Sequence, residues 1–588
     1  MPSFQPPVRD MAFVLDEIAG LADIARLPGC EEATDDLVGA VLAEAGRFGA
    51  GVLAPLNPVG DRQGCRLEHG KVTTPAGFAD AYRRFVEGGW NAVPFDPEWG
   101  GQGLPWAVAT AVQEIWHAAN MSFGLVPMLT QGAIEALSQH GSDDLKRTYL
   151  PKLVEGVWTG TMNLTEPQAG SDVGALRTKA VPDGDNWRIT GQKIFITSGD
   201  HDMAENIVHL VLARTPGAPV GVRGISLFVV PKHLPNPDGS PGALNDVACI
   251  KLEEKLGIHG SPTCVMAFGD NGGALGTLVG AENKGMALMF TMMNAARLAV
   301  GLEGVAQAER AYQKARAYAG ERVQNGVTII HHPDVRRMLM TMKALTEAAR
   351  ALAYFVAGQT DRARRHPDAD ERRGAQGTVD LLTPVVKAWC TDIGIHVADT
   401  AIQVFGGMGF IEETGVTQHL RDARIAAIYE GTNGIQAMDL VSRKLIRDDG
   451  AEFRRLVATM KSLDGALSEA AEAPFPALRR RLGEAIAAAE SAGRFILAGH
   501  AADTSLAGAV GAPFLELVGI ATGGWLTATA ALAARRRLAA GDADTAFLAA
   551  KIATAGFYAD AILVRAGGLQ AQVEAGSANV MALAEEHF

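Results

Sequence analysis

Cysteine is scarce in this chain: five residues among 588, at positions 30, 65, 249, 264 and 390. They are too few and too scattered for a disulfide framework, and none falls in a CxxC pair, so the expectation is a reduced, cytoplasmic protein without a cysteine-built metal site. No P-loop and no HExxH occurs either, and Gly407-Met-Gly409 fails as a dinucleotide fingerprint because its sixth position is Glu412. No metal is expected. Residues 1–10 lack a basic stretch followed by a hydrophobic core, so no secretory signal is read there. Internal repeats and low-complexity tails are also missing. Lys and Arg number 53 against 66 Asp and Glu, a net charge of −13 that opposes nonspecific binding to nucleic acid or anionic lipid. The most apolar run, Leu506 to Ala534, carries only Glu516 as a charge. Its many Gly and Ala residues, and the interruption at Gly511-Ala-Pro513, favour packed buried helices over a membrane span.

What is present is helical texture broken once by β texture. The length implies several domains. Residues 10 to about 155 carry apolar residues at helical spacing, as in Met11–Leu15, Leu37–Leu42 and Phe78 to Phe85. Phe95–Pro105 cannot continue a helix, because two prolines and three glycines interrupt it. Near Gly156 short β-prone runs begin: Trp187–Thr197, Ile207–Ala213 and Ile225–Val230. From Gly285 the helical period returns, first as a long apolar helix carrying a lone Arg297. Residues 361–377 read as an exposed loop or a helix extension. The last 138 or so residues, rich in Ala, Leu and Arg, read as a bundle of about four helices. Arg479-Arg-Arg481 and Arg535-Arg-Arg537 are the short basic runs there, read as solvated helix surface. The fold class is α+β, mainly α: a helical domain (1–158), a β-barrel-like middle domain (159–285), a helical bundle (286–449) and an additional helical domain (450–588).

One carboxylate stands out. Glu430, between Ile428-Tyr429 and Gly431-Thr432, lies where an apolar run breaks into a turn. Asn433 and Gln436 read as N-cap and capping partner of a new helix from Gly434 to about Leu445. A carboxylate in apolar surroundings gains basicity. The plain alternative is a helix-end glutamate, solvated or paired with Arg421 or Arg424.

Gln403-Val-Phe-Gly-Gly-Met-Gly-Phe410, Arg421-Asp422 and Tyr429-Glu-Gly-Thr432 together resemble the C-terminal signature of the acyl-CoA dehydrogenases, flavoenzymes that oxidise acyl-CoA thioesters. Phe95–Pro105 is similar to that family's Pro-x-x-x-Gly-Gly-x-Gly loop, and Thr165-Glu-Pro-Gln-Ala-Gly-Ser-Asp172 to its Thr-Glu-Pro-x-Ala-Gly-Ser-Asp motif. The resemblance implies FAD as cofactor and Glu430 as catalytic base. It implies that Met162, Leu164 and Thr165 line the flavin ring, and that Phe195, where the family commonly has tryptophan, packs on it with Thr197. Ser171 would meet flavin phosphate or the pantetheine arm, and Thr432 the flavin. Arg322 and Gln324, in Glu321-Arg-Val-Gln-Asn-Gly326, would hold the pyrophosphate, with Asn325 replacing the family's phenylalanine. Gln403, Gly406 and Gly407 would reach the adenine half from a second subunit, which implies a homodimer. Arg297, Asn294 (often aspartate in relatives) and Gly431 would contact the substrate.

The implied reaction is removal of the α-proton by Glu430 with the β-hydrogen leaving as hydride to flavin N5, giving a trans-2-enoyl-CoA. The thioester carbonyl would be polarised by the Glu430 backbone N–H and a ribityl hydroxyl. Electrons would pass to an electron-transfer flavoprotein. Met293-Asn-Ala-Ala-Arg-Leu298 and the long tail resemble most the subgroup acting on 3-methylmercaptopropionyl-CoA in dimethylsulfoniopropionate breakdown; a short or medium acyl-CoA is the other expected substrate. Two other functions share these motifs: an oxidase passing electrons to oxygen, and a flavin-bearing nucleic-acid-binding relative that would need a basic C-terminal face.

Overall fold

The structure, a computed structural model, describes residues 4–588. It divides into two compact units: Ala45–Leu104 with Ile115–Ala299, and Met1–Glu44 with Pro105–Glu114 and Val300–Phe588.

The first unit is built on an eight-stranded sheet. In spatial order the strands are Val247–Leu252, Thr263–Phe268, Asn186–Thr197, Ala274–Val279, Ser226–Pro231, Asn206–Ala213 and Trp158–Asn163, with Lys179–Asp183 pairing beside Asn186–Thr197. Neighbours are antiparallel except the last pair, Trp158–Asn163 with Asn206–Ala213. Asn206–Ala213, Ser226–Pro231 and Thr263–Phe268 are buried at every residue, which explains their near-continuous apolar character. Ile189, Ile196, Val211, Phe228, Val230, Met266 and Phe268 form the core. Phe95–Pro105 forms a loop around one short 3-10 turn, Pro97–Trp99, capped by Asp96. A small hairpin, Arg66–Glu68 with Lys71–Thr73, is a feature the helical periodicity of this region did not announce.

The second unit is helical. Pro333–Arg365 and Ala369–Phe405 form an antiparallel pair, joined only by His366-Pro-Asp368, with the Asp368 carboxylate accepting from the Asp370 and Glu371 N–H groups. Residues 361–377 are therefore mostly helix extension. The later part of the Gly285–Glu321 helix packs very closely on this pair: a Cβ on Gly304 would lie 2.2 Å from the Cys390 carbonyl oxygen, so only glycine permits the approach.

Leu506–Ala539 is one continuous helix, against the interruption expected at Gly511-Ala-Pro513. Pro513 lies inside it, and the loss of one backbone hydrogen bond is outweighed by burial of almost all its apolar side chains against neighbouring helices. Its glycines receive Trp389, whose ring atoms would lie 2.5 Å from a Cβ at Gly519 or Gly523. Phe475–Gly499, Thr545–Ala561 and Ala566–Glu574 complete the bundle. Four helical stretches among the described residues, Leu506–Ala539 included, are long and apolar enough to cross a membrane by length and composition.

A buried ionic cluster joins the N-terminal and C-terminal helices of this unit. The Arg350 guanidinium donates to Glu114 at 2.6 Å, Asp10 at 2.7 Å and Glu309 at 2.8 Å, and Tyr354 adds a hydrogen bond to Glu114. Lys551 extends the network to Asp10 and Glu347.

Candidate active site

In the helical unit, Glu430 and Gly431 both adopt left-handed backbone, with φ of 57° and 82°. For glutamate this conformation costs on the order of 1 kcal/mol, so the surroundings must impose it. They do so from two sides. The buried Gln436 carboxamide donates to the Glu430 carbonyl at 3.1 Å and to the Gly431 carbonyl at 3.3 Å. The buried Lys387 ammonium donates to the same Gly431 carbonyl at 2.7 Å and to Asn433 Oδ1 at 2.9 Å.

The capping expected here is reassigned. Thr432, not Asn433, is the N-cap: its hydroxyl accepts from the Ile435 N–H at 3.2 Å. Asn433 is the first residue of the helix Asn433–Met438, and its side chain turns inward to Ala388 O, Thr391 Oγ1 and Asp392 Oδ1. Gln436 does not reach back to a cap amide but grips the carbonyls of the preceding turn. Beyond Met438 the chain continues in π-helical turns, Asp439–Ile446, rather than as the same α-helix.

Tyr429 is fixed separately. Its hydroxyl donates to Glu303 Oε2, from a glutamate with no solvent exposure on the Gly285–Glu321 helix. Burial pushes the Glu303 carboxyl up to about 8; the Tyr429 hydrogen bond and the Lys387 charge oppose the rise, and the Glu430 charge adds to it. Burial, with the Glu303 charge, also raises the Tyr429 phenol well above its ordinary value. Glu303 and Lys387 went unnoticed in the sequence, and Gln436 was read there only as a capping partner. The only signal was an acidic residue at 303 within an apolar helical run.

Also in this unit, Val323–Gln324 and Val327–Thr328 form a hairpin whose two-residue turn is Asn325-Gly326, both left-handed. Asparagine at 325 thus has a backbone reason where the family has phenylalanine, since Asn-Gly suits a two-residue hairpin. Arg322 and Gln324 are exposed there. Tyr318 stacks on Phe405 with ring centroids 4.0 Å apart, bringing the end of the Gly285–Glu321 helix beside the end of Ala369–Phe405. Arg322, Gln403, Gly406 and Gly407 therefore lie on neighbouring exposed ends of one chain.

In the sheet unit, the 164–172 segment is riveted down by Glu166. Its buried carboxylate accepts from the Arg177 and Thr178 N–H groups at 2.6 and 3.0 Å, the Thr178 hydroxyl at 2.6 Å and Lys193 Nζ at 2.8 Å. Burial opposes ionisation, but the Lys193 charge and these hydrogen bonds win and hold the carboxyl down to about 2. Burial lowers Lys193 itself to about 8 despite Glu166.

One residue of this unit has the geometry of a ring platform. At Phe195 the Asn186–Thr197 strand bulges, with two residues opposite Val265, and the phenylalanine takes φ of 60°. Phe195 is 59% exposed, and the backbone N–H of Ile194 before it donates to the Thr165 carbonyl at 2.9 Å. An aromatic ring held out to solvent on strained backbone fits a flat aromatic ligand. Met162 and Thr197 are half-buried nearby, Leu164 is buried and Ser171 exposed. Arg297 is buried with its guanidinium 5.9 Å from the Phe290 ring, whereas Asn294 is exposed; the helix does not present the two alike.

The sequence matches four family profiles in order: Acyl-CoA dehydrogenase, N-terminal domain (65–157), middle domain (161–271) and C-terminal domain (283–445), then Acetyl-CoA dehydrogenase C-terminal like (453–584). The chain belongs to the acyl-CoA dehydrogenase family of FAD-binding oxidoreductases. It is 49% identical over 572 residues to the 3-methylmercaptopropionyl-CoA dehydrogenase of Ruegeria pomeroyi, with 96% of each chain covered. It is 35% identical over 617 residues to a broad-specificity linear acyl-CoA dehydrogenase of Mycobacterium tuberculosis, with 100% of each covered. An acyl-CoA dehydrogenase of Bacillus anthracis complexed with FAD shares the fold, with a TM-score of 0.73 over 96% of this chain and 90% of that one at 21% identity.

Proposed function

We propose that this protein catalyses the α,β-dehydrogenation of an acyl-CoA thioester, with Glu430 as the base, and that 3-methylmercaptopropionyl-CoA is its substrate. The observation that carries the reading is the clamped left-handed turn at Glu430, a strained conformation held by Gln436 and Lys387 at the residue the family motif marks. The substrate rests on the 49% identity to a dehydrogenase of that thioester over nearly the whole chain.

In this reading the Glu430 carboxylate takes the α-proton, and its backbone N–H donates to the thioester carbonyl as negative charge develops there. Phe195 offers a face to the flavin ring, with Met162, Leu164, Thr165 and Thr197 beside it, and Thr432 adds a contact. When bound, FAD supplies the acceptor for the hydride. Arg322, with Gln324, forms the cationic contact for the pyrophosphate, and Gln403, Gly406 and Gly407 meet the adenine half. Because Arg322, Gln403, Gly406 and Gly407 share neighbouring ends of one chain, a single subunit contributes them together. Ser171, Arg297, Asn294 and Gly431 are the substrate contacts.

A homodimer is part of the proposal; Met408, Phe410 and Ile411, beside those glycines, are apolar and exposed, Phe410 by 89%. An electron-transfer flavoprotein is the proposed acceptor, and the cytoplasm the proposed location, in dimethylsulfoniopropionate breakdown. Every arginine of the two basic runs meets a carboxylate: Arg479 pairs with Asp464, Arg480 and Arg481 with Glu484, Arg535 with Glu472, Arg536 with Glu17 and Arg537 with Asp542. That speaks for an enzyme rather than a nucleic-acid-binding relative.

The test is anaerobic bleaching of the flavin by a panel from butyryl-CoA to octanoyl-CoA that includes 3-methylmercaptopropionyl-CoA. Fastest bleaching by the last supports the proposal; bleaching by none contradicts it. Hydrogen peroxide formed in step with enoyl-CoA in air would make oxygen the acceptor instead.

A further inference from the structure

The Gly285–Glu321 helix brings one ionisable side chain to the Tyr429–Glu430 segment for which the reaction above has no use. Glu303 has no solvent exposure, and it is held deep by the glycine-mediated contact next to it in sequence, Gly304 against Cys390. Its Oε2 accepts the Tyr429 hydroxyl. The charged groups facing it are Lys387, from the Ala369–Phe405 helix, and Glu430, from the turn itself. A buried carboxyl in such a place is expensive to keep, and a packed apolar side chain would fill the space at less cost.

We propose that Glu303 is a positioning residue, which sets the Tyr429–Glu430 segment through its hydrogen bond with Tyr429 and governs the charge that Glu430 faces. The proposal rests on the reading of Glu430 as base. Two effects follow from the geometry. The Tyr429 ring, tied at its hydroxyl, holds the backbone immediately before Glu430, and so the direction of both the Glu430 carboxylate and its N–H. The charge on Glu303 matters because the reaction builds negative charge on the thioester carbonyl. Proton transfer moves one negative charge from Glu430 to that carbonyl, so an ionised Glu303 both strengthens the base it faces and repels the charge that develops, whereas a neutral Glu303 does neither. Burial keeps the carboxyl protonated through neutral pH, in line with this role.

Two measurements on the full-length FAD-loaded protein test the proposal. The first is infrared difference spectroscopy across pH 6 to 10 without substrate. A band from a buried protonated carboxyl is expected in the wild type, lost as the pH rises and missing from Glu303→Gln. The same band unchanged in Glu303→Gln would overturn the assignment. The second is the pH profile of turnover with 3-methylmercaptopropionyl-CoA. A change of about one pKa unit in the base that Glu303 faces implies about a tenfold change in wild-type kcat between pH 6.5 and pH 9. Glu303→Gln, which keeps an acceptor for Tyr429, is expected to flatten that change. Glu303→Ala, which removes the acceptor, is expected to lower kcat more than it raises KM, and Gln to restore what Ala loses. A Glu303→Gln profile that coincides with the wild type would contradict the proposal. Should no thioester reduce the flavin, the reading of the reaction fails, while the infrared result still decides whether Glu303 holds its proton.

Discussion

The carboxamide of Gln436 donates to the carbonyl of Glu430, six residues earlier, at 3.1 Å, and so holds a glutamate in left-handed backbone. The side chain that does this lies buried in the first turns of the next helix, which makes the base as rigid as that helix. Gln436→Leu is predicted to keep FAD and to lower the rate of flavin bleaching by roughly ten- to a hundredfold, the scale of a misplacement near 1 Å. Rapid mixing under anaerobic conditions measures it; an unchanged rate would show that the turn holds Glu430 without Gln436.

In the sheet unit the pair that matters is Glu166 with Lys193, because the carboxylate also closes the loop through Thr178 and Arg177. Glu166→Ala strands a buried ammonium, at a cost of about 3–5 kcal/mol. The expected outcome is a protein purified with much less flavin, read from the ratio of visible to protein absorbance. Lys193→Met added to Glu166→Ala is predicted to recover part of the loss, since the pair is then removed together.

Arg350 binds three buried carboxylates, and Lys551 of the C-terminal helices reaches one of them, Asp10, together with Glu347. Arg350→Met is predicted to destabilise the helical unit by about 3–5 kcal/mol, as breaking a buried pair on one side usually does. Thermal unfolding checks this, with Arg9→Ala as a control, because the Arg9 to Asp544 pair is exposed and worth at most ~1 kcal/mol.

Much of this architecture is legible in the sequence where one physical demand dominates. Asn206–Ala213 and Ser226–Pro231 are β-rich because they are buried on both faces, and any reading of hydrophobic runs finds them. Phe195 was found through its motif, but the bulge that turns it outward follows from pairing with Thr263–Phe268, which no local pattern states. The spacing of Asn433 and Gln436 suggested a capping box; tertiary demand overrode it, because the Gly431 and Glu430 carbonyls needed donors and Gln436 was the nearest. Pro513 misled for the same reason, since propensity breaks a helix only when packing does not restore it. Asn325-Gly326 was a readable hairpin signal, obscured by comparison with a phenylalanine.

Stability should carry the mark of Glu303. Its carboxyl is raised from the ordinary 4.5 to about 8 in the folded chain. Its favourable contribution is therefore complete below pH 4.5 and is lost as the pH rises toward 8. By pH 8 the loss is on the order of 4 kcal/mol. The Tm of Glu303→Gln relative to wild type is predicted to rise progressively over that window; a difference independent of pH would place the Glu303 carboxyl near its ordinary value.

The central claim is that Glu430 is the base, and the most direct measurement is the anaerobic bleaching rate of Glu430→Gln against wild type with 3-methylmercaptopropionyl-CoA. The variant is predicted to purify with bound FAD and to bleach about a hundred- to ten-thousandfold more slowly. Full flavin content with a near-normal rate would remove Glu430 from the chemistry and contradict the account.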